Sequence, residues 1–236
     1  MPYSLRPLLL AVLLAGSASA ATTPSDKLDP ITVIRVHDPA FMPYEKVYAL
    51  ASILRQSPFK QVQTRFRLMS MRPGDDMKNV NLALFSKSID LPINVGPDGY
   101  FDAPLDPRAL AEEAEFVTAR PVGTLRWLFY LLLTPSTSNT YTLSHLRAAA
   151  SEADEAVKLL PWWARLRLAF KSTDGVVFEF PDNSNGSVLV EDPKGSSTRL
   201  VAQEGKVKLS FRQFDQLKEA KITPNPRPVA IHPDMN

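Results

Sequence analysis

Hydrophobic positions recur every three or four residues in two long segments of the chain, and each segment is predicted to be a helix. In residues 44–55 the apolar side chains form one stripe that ends before Pro58. A longer stripe begins at about Ser144 and ends at Pro161, because proline cannot continue a helix. Residues 108–114 allow two further helical turns.

A hydrophobic period of two predicts strands in the rest of the first half. From Gln61 apolar and polar residues alternate, which predicts a half-buried strand whose outer face carries Arg65 and Arg67. Shorter strand-like runs lie at 31–36, 80–84, 89–95, 100–101, 115–118 and 124–133. The densest apolar stretch, Leu125 to Leu133, is too short for a transmembrane helix and predicts a central strand buried on both faces.

After Pro161, five short apolar runs separated by turn residues predict an antiparallel meander. These runs lie at 164–171, 176–180, 187–191, 198–202 and 206–211. Connectors such as Asp174-Gly175 are short enough for hairpins. From Pro224 a proline-rich tail is expected to run extended over the surface, with residues 229–231 adding an edge strand.

Together these elements predict a β-rich α+β fold. The first half is expected to place one or two helices on an antiparallel sheet, and the second to combine a helix with a sandwich-like antiparallel meander. A polar stretch at 135–140 is the expected linker between an N-terminal region, 30–134, and a C-terminal region, 141–236.

Residues 1–20 have the pattern of a secretory signal peptide, in which a positive charge precedes an apolar run and small residues. Ala18 and Ala20 supply the small side chains that signal peptidase requires, so cleavage is expected between Ala20 and Ala21. The alternative, an uncleaved membrane anchor, would need about 20 apolar residues. We therefore expect a mature chain with a flexible leader at 21–29 and no transmembrane segment. Its expected location is the periplasm, with secretion as the alternative.

Composition narrows the possible chemistry. Twenty-seven Lys and Arg residues against 25 Asp and Glu residues give a net charge of +2, so no global field favours binding to nucleic acid or to an anionic membrane. Cysteine is absent from the 236 residues. This absence excludes disulfides, thiolate nucleophiles, thiolate-held metals and a lipid anchor on cysteine.

The sequence also lacks the common catalytic and cofactor motifs. The three histidines, His37, His145 and His232, lie in different segments without a metal-binding spacing. Neither a nucleophile elbow nor a phosphate-binding glycine loop is present. The carboxylates within 112–115 and 152–155 are more typical of solvated faces than of acid–base pairs. We therefore predict no catalytic residue, no metal site and no cofactor.

Two sets of side chains are candidates for a binding surface. Arg65 and Arg67 share one face of a predicted strand and could contact an anionic partner. Trp162, Trp163 and Arg165 combine aromatic and basic groups after the long helix. Paired tryptophans can stack on sugars, sit at a membrane interface, or wedge a helix against a sheet.

Several segments between about residues 80 and 210 share a further pattern: Leu91–Val95 through Gly99, Ala103–Pro107, Glu115, Gly123–Leu125, Pro161–Arg165 and Gly175–Phe180. This pattern resembles uncharacterised exported proteins of Gram-negative bacteria that carry a domain of unknown function. The resemblance implies a periplasmic or secreted protein, and it implies no activity, cofactor or catalytic residue.

The sequence therefore predicts a non-enzymatic binding or envelope-associated structural protein whose partner is an envelope protein or polymer. The alternative is a cofactor-independent hydrolase that acts on an envelope component through carboxylates. The two hypotheses differ in one structural expectation. The hydrolase requires Glu112, Glu113 or Glu115, or His37 with a carboxylate, to meet inside one concave pocket.

Overall fold

The computed structural model describes residues 36–72, 77, 80–166, 173–181, 184–217 and 219–235, and these stretches contain four helices and fourteen strands. The helices are α1 (Tyr44–Gln56), α2 (Pro107–Ala111), α3 (Leu143–Leu159) and α4 (Trp162–Arg165). The strands of the first half are β1 (Val36–His37), β2 (Val62–Ser70), β3 (Leu82–Phe85), β4 (Asp90–Ile93), β5 (Tyr100–Phe101), β6 (Glu115–Thr118) and β7 (Leu125–Leu133). Those of the second half are β8 (Tyr141–Thr142), β9 (Thr173–Glu179), β10 (Ser187–Glu191), β11 (Ser197–Val201), β12 (Lys206–Ser210), β13 (Lys221–Asn225) and β14 (Ala230–Met235). The predicted β-rich α+β class is confirmed.

Helix α1 forms where the hydrophobic period predicts it. Its buried stripe includes Val47, Leu50 and Leu54. Glu45 in the first turn and Arg55 in the last turn have the charges that the helix dipole favours at those ends. The buried stripe packs on β2, so α1 covers one face of that strand.

The long helix α3 contributes to two hydrophobic clusters. Its N-terminus is capped by Thr142, whose hydroxyl oxygen accepts a hydrogen bond of 3.1 Å from the backbone N–H of His145. Buried residues of the first half of α3, among them Leu146, pack into a cluster with the strands of the second half of the chain. Ala153 and Ala156, further along α3, belong to the cluster around α1 and β2. One helix therefore links both cores.

Two antiparallel sheets form the first half of the chain, with strand orders β1-β6-β3-β4 and β5-β2-β7. The prediction that Leu125–Leu133 is a central strand is wrong, because β7 lies at the edge of its sheet and hydrogen-bonds only to β2 among the described strands. The predicted burial on both faces is present along part of the strand. Trp127 and Leu131 pack into the α1 cluster on one face, while Leu132 packs with Ala230 on the other.

The second half contains two further antiparallel sheets, with strand orders β11-β10-β13-β8 and β12-β9-β14. Side chains from both sheets meet in one cluster, for example Val188 of β10 and Phe178 of β9. The strands do not pair in chain order as a meander would, since among the described strands of this half only β10 and β11 are consecutive neighbours in a sheet. The predicted edge strand near 229–231 is confirmed as β14, which pairs with β9.

Strand β13 was not expected from the sequence, because Pro224 argued for a surface tail. The residue is buried within β13, opposite Val188. Strand β8 pairs only with Lys221 and Ile222, so β13 has a single neighbouring strand at Pro224. A proline without an N–H is compatible with such a local edge.

Some predictions concern residues that the structure does not describe. The signal peptide, its cleavage site at Ala18, Ala20 and Ala21, and the leader at 21–29 lie outside the described residues. Most of the predicted strand at 31–36 also lies outside them. The predicted strand at 164–171 is wrong at its start, because residues 162–165 form the helix α4, while 167–171 lie outside the described residues.

Residues 135–140 form the loop between β7 and β8, where the linker was expected. The described residues on both sides of this loop belong to one compact unit. Tyr100, Leu132 and Ala230 form a small third cluster that joins the two halves of the chain.

Candidate functional site

A cavity of about 690 Å³ lies between α1, β7, α4 and β14, and we call it the apolar cavity. Its aromatic walls are Trp127, Phe129 and Tyr130 of β7 and Trp163 of α4. Leu50 of α1 contributes an aliphatic surface. Concave and mostly apolar sites of this size are typical of small-molecule binding.

The apolar cavity follows from the edge position of β7. Strand β14 lies beside β7 but is hydrogen-bonded to β9. No continuous ladder of backbone hydrogen bonds therefore joins β7 to β14. The two backbones are not held at the distance of paired strands. Phe129 and Tyr130 are only half-buried and line the cavity on one side, and His232–Met235 line it on the other.

Few polar groups line the apolar cavity, and they differ in charge. Lys46 is exposed, has no ion-pair partner among the described residues, and places its Nζ 5.6 Å from the centre of the Trp163 ring. Asp234 is neutralised by Lys208, with 3.1 Å between Oδ1 and Nζ. Burial lowers the pKa of His232, which favours its neutral form at pH 7. The uncompensated charge on the lining is therefore positive.

Trp127, whose side chain lines the apolar cavity, carries a buried hydrogen-bond donor. The side chain is 8% exposed, and its indole Nε1–H has no hydrogen-bond partner among the described residues. A buried donor without an acceptor costs about 1–3 kcal/mol.

A buried polar network lies behind His232 and joins the two halves of the chain. Arg67 of β2 donates a hydrogen bond from Nη1 to Oε1 of Glu179 on β9, at 2.6 Å. The hydroxyl of Tyr100 donates to Oε2 of the same carboxylate at 3.3 Å. Burial and the charge of Glu179 raise the pKa of Tyr100. Burial alone would lower the pKa of Arg67, but the Glu179 charge raises it, so the guanidinium stays charged at neutral pH.

A second concavity, also of about 690 Å³, contains the histidine and carboxylates that the hydrolase hypothesis requires, and we call it the His37 depression. The imidazole Nδ1 of His37 lies 3.3 Å from Oε2 of Glu115. Strands β1 and β6 create this pair, because His37 lies opposite Val117, two residues from Glu115. Glu113 and Glu45 line the same depression. About half of the His37 and Glu115 side-chain surfaces is exposed.

The neighbouring carboxylates Asp38 and Glu112 have structural partners. Asp38 is buried and accepts hydrogen bonds from the backbone N–H groups of Ala40 and Gly123. Glu112 accepts hydrogen bonds from the hydroxyls of Ser86 and Ser88, and these bonds lower its pKa. Neither carboxylate lines the His37 depression.

The five side chains of the predicted binding surface lie on two separate elements. Arg65 and Arg67 are on β2, where Arg65 pairs with Asp102 at 3.2 Å and Arg67 is 14% exposed in the buried network. Little of the Arg67 guanidinium is therefore accessible to an external anion. The other three lie on α4: Trp162 is exposed, Trp163 lines the apolar cavity, and Arg165 is exposed.

Sequence reasoning missed Lys46 and His232 as cavity residues. Lys46 is one of several charged residues on an amphipathic helix, and His232 lies in a segment predicted to cross the surface. One signal was available. The run Leu125–Leu133 is more hydrophobic than an edge strand of an exposed sheet needs to be, and it indicates that both faces are covered or line a cavity.

The chain was compared with protein-family models, with curated proteins and with solved structures, and none of the three comparisons gave a match. Within the described stretches, no helix combines the length and the hydrophobicity needed to cross a membrane. The same stretches contain no cluster of three or more His, Asp or Glu side chains placed to hold a metal ion.

Proposed function

We propose that this protein is a binding protein that holds a small amphipathic molecule in the apolar cavity, with an acidic head group at Lys46. The observation that carries the proposal is the cavity itself, about 690 Å³ lined mainly by aromatic and aliphatic side chains. Pockets of about 300–1,000 Å³ bury most of the surface of a small ligand. Transfer of apolar surface from water into such a cavity supplies the binding free energy.

Lys46 supports an acidic head group, because it is a cation on the lining without an acidic partner in the described part of the chain. The ring of Trp163 holds the ammonium group near the cavity, since a cation is attracted to the face of an indole. Neutral His232 and neutralised Asp234 do not compete for this charge. A carboxylate on an unbranched hydrocarbon chain combines the two features that the cavity recognises.

The proposal is tested with the fluorescent anion 1-anilinonaphthalene-8-sulfonate as a probe and dodecanoate as its competitor. Ala40→Trp places a large side chain on the cavity lining at an exposed position. The matched control is Ala119→Trp, an exposed alanine that lines neither concavity. We expect Ala40→Trp to weaken probe binding at least tenfold and Ala119→Trp to leave it unchanged. Equal probe affinity in the two variants would refute the proposal.

A second measurement tests the head group. Lys46→Gln removes the charge at an exposed position, so the fold is expected to be unaffected. We expect about fivefold weaker binding of dodecanoate, equivalent to about 1 kcal/mol, and unchanged binding of dodecanol. Equal losses for the acid and the alcohol would show that Lys46 does not recognise the head group.

An exported location is part of the proposal and is supported by the signal-peptide pattern of residues 1–20. Its test is mass spectrometry of the protein from periplasmic, cytoplasmic and culture-medium fractions. A periplasmic chain that begins at Ala21 is expected. An intact Met1 on the exported protein would contradict cleavage.

The hydrolase is the second candidate, and the contact between His37 and Glu115 favours it. A carboxylate beside an imidazole can orient it as a general base for water, and a further carboxylate, Glu113, lines the same depression. A panel of chromogenic esters and glycosides tests this candidate. Activity that His37→Asn abolishes would support it, and activity equal in the wild type and His37→Asn would exclude this site.

A further inference from the structure

Three large apolar side chains stand in solvent around the short helix α4. Leu159 is 51% exposed, Trp162 is 69% exposed and Leu166 is 66% exposed. Exposed apolar patches of this kind mark interaction sites in folded proteins. We call these three residues the α4 patch.

Buried neighbours and backbone hydrogen bonds anchor the α4 patch in the fold. Leu160 and Ala164, which alternate with the patch residues, are buried in the cluster around α1. The backbone N–H of Ala164 donates to the carbonyl of Pro161 at 2.9 Å. Trp162 and Leu166 are four residues apart and are joined by a backbone hydrogen bond of 3.0 Å, which places their side chains on the same side of the turn.

Positive charge borders the α4 patch. The Arg165 guanidinium contacts the backbone carbonyl of Lys158 at 3.4 Å and has no acidic partner among the described residues. Lys46 lies against Trp163, the neighbour of Trp162, and it too has no acidic partner in the described part of the chain. Lys158 is neutralised by Glu155. Arg165, which lies between Trp162 and Leu166 in the chain, is therefore the uncompensated cation beside the α4 patch, while Lys46 lies on the cavity side of α4.

The structure assigns to the α4 patch a docking role on an anionic lipid membrane. Tryptophan, leucine and basic side chains on one short element form the combination that partitions to the boundary between anionic head groups and acyl chains. Arg165, the uncompensated cation on α4, favours a membrane with anionic lipids, since each lysine or arginine near such a surface adds to the attraction. Docking in this sense needs no spanning segment.

The same helix connects the α4 patch to the apolar cavity. Trp163 and Ala164 line the cavity, while Trp162 and Leu166 face solvent. Docking through α4 would therefore bring the cavity close to the lipid surface. An amphipathic molecule could then move between the bilayer and the cavity without crossing bulk water. This exchange step rests on the proposed function, whereas membrane docking does not.

The test of docking is sedimentation of the full chain with vesicles of phosphatidylethanolamine and phosphatidylglycerol, compared with vesicles of phosphatidylcholine alone. The test variant is Trp162→Ser with Leu166→Ser. Its control, Val122→Ser with Val201→Ser, changes two apolar residues outside α4 that are 54% and 65% exposed. We expect the wild type and the control to bind anionic vesicles. The α4 variant should bind at least tenfold more weakly, and Arg165→Gln about fivefold more weakly.

Several outcomes would overturn docking. These are absence of binding by the wild type, equal binding by the α4 variant, and equal binding to neutral vesicles. Dimers that form through the α4 patch while vesicles are not bound would assign the patch to a protein partner instead.

Two readouts separate failure of docking from failure of the proposed function. If membrane docking and the proposed function are both correct, the α4 variant keeps its affinity for the soluble probe. Ala40→Trp, in which the new side chain fills the cavity, still binds vesicles. If Ala40→Trp leaves probe binding unchanged while the α4 variant loses vesicle binding, docking stands and lipid exchange is refuted.

Discussion

Arg67 and Glu179 form an ion pair of 2.6 Å that joins β2 in the first half of the chain to β9 in the second. Their side chains are only 14% and 10% exposed. Tyr100 donates a hydrogen bond to the same carboxylate, and the Arg67 guanidinium lies 4.8 Å from the centre of its ring. The two charges therefore depend on each other, because neither has free access to water.

Removal of one member of this pair is expected to be costly. Glu179→Leu leaves the Arg67 guanidinium buried without its counter-ion, and we expect a loss of about 3–5 kcal/mol in the free energy of unfolding. The double variant Arg67→Met with Glu179→Leu should lose much less, since no buried charge is left. Urea denaturation of the wild type, the two single variants and the double variant measures this coupling.

The Arg65–Asp102 pair is the control for the buried pair. Its arginine lies on the same strand β2, but the Asp102 side chain is 74% exposed. Asp102→Asn should cost about 1 kcal/mol or less, because water screens an exposed pair. Similar losses for Asp102→Asn and Glu179→Leu would show that burial does not strengthen the Arg67–Glu179 pair.

The two halves of the chain are expected to unfold together, because α3 and the Arg67–Glu179 pair link them. Leu209→Ala removes a fully buried side chain of β12 in the C-terminal cluster and should cost about 2–5 kcal/mol. The buried tryptophan that reports unfolding, Trp127, lies in the other cluster. The denaturation midpoint measured by tryptophan fluorescence should fall as far as the midpoint measured by circular dichroism. An unchanged fluorescence midpoint would mean that the halves unfold independently.

Much of the secondary structure could be predicted from hydrophobic periods, because the helices α1 and α3 each bury one continuous stripe. Which strands pair with each other was harder to predict from the sequence. Strand β9 pairs with β12 and β14, and β10 pairs with β11 and β13. Turn residues show where the chain reverses direction, but they do not show that it crosses to the opposite sheet. Pro224 led to a wrong prediction at β13, where a surface tail was expected. The strand has a local edge at Pro224 only because its pairing with β8 is short.

Gly99 is expected to tolerate no side chain. Its φ of +82° lies in the left-handed region, and a Cβ atom there would lie 2.1 Å from the carbonyl oxygen of Leu68. Gly123 has a similar φ of +74° with no neighbouring atom within 4 Å of such a Cβ. We expect Gly123→Ala to cost about 1–2 kcal/mol from the backbone conformation alone. Gly99→Ala should cost clearly more in thermal or urea denaturation, and equal costs would contradict the steric argument.

Stability is expected to fall as the pH drops below the ordinary pKa of histidine, about 6.5. Burial lowers the pKa of His232 in the folded chain, although the charges of Glu179 and Asp234 oppose this effect and Lys206 adds to it. The unfolded chain then takes up a proton at higher pH than the folded chain. The contribution of neutral His232 is therefore fully present above about pH 6.5 and is lost as the pH falls through the folded pKa.

Urea denaturation at pH 7.5 and pH 5 measures this pH effect. His232→Gln should lose less stability between the two pH values than the wild type does. His145→Gln, at an exposed position of α3, controls for the loss of a histidine. A pH dependence in His232→Gln equal to that of the wild type would exclude His232 as the cause.

The candidate site was harder to predict than the fold because its walls are distant in sequence. Lys46, Phe129, Trp163 and His232 each lie in a different element, and none belongs to a motif. The cavity arises from the missing hydrogen-bond ladder between β7 and β14, which is a property of strand order. The tryptophan pair was found in the sequence. The packing of α4, which the sequence does not show, decides that one tryptophan faces the cavity and the other faces solvent.

Two walls of the apolar cavity come from the first and last parts of the described chain, residues 40–50 and 232–235. Contacts between residues so far apart in sequence form slowly, because nearly the whole chain must be closed into a loop. A nascent chain has no such cavity until β14 has been synthesised and has paired with β9. A molecule that binds there stabilises this final closure by mass action. Its presence during synthesis would therefore raise the yield of folded protein.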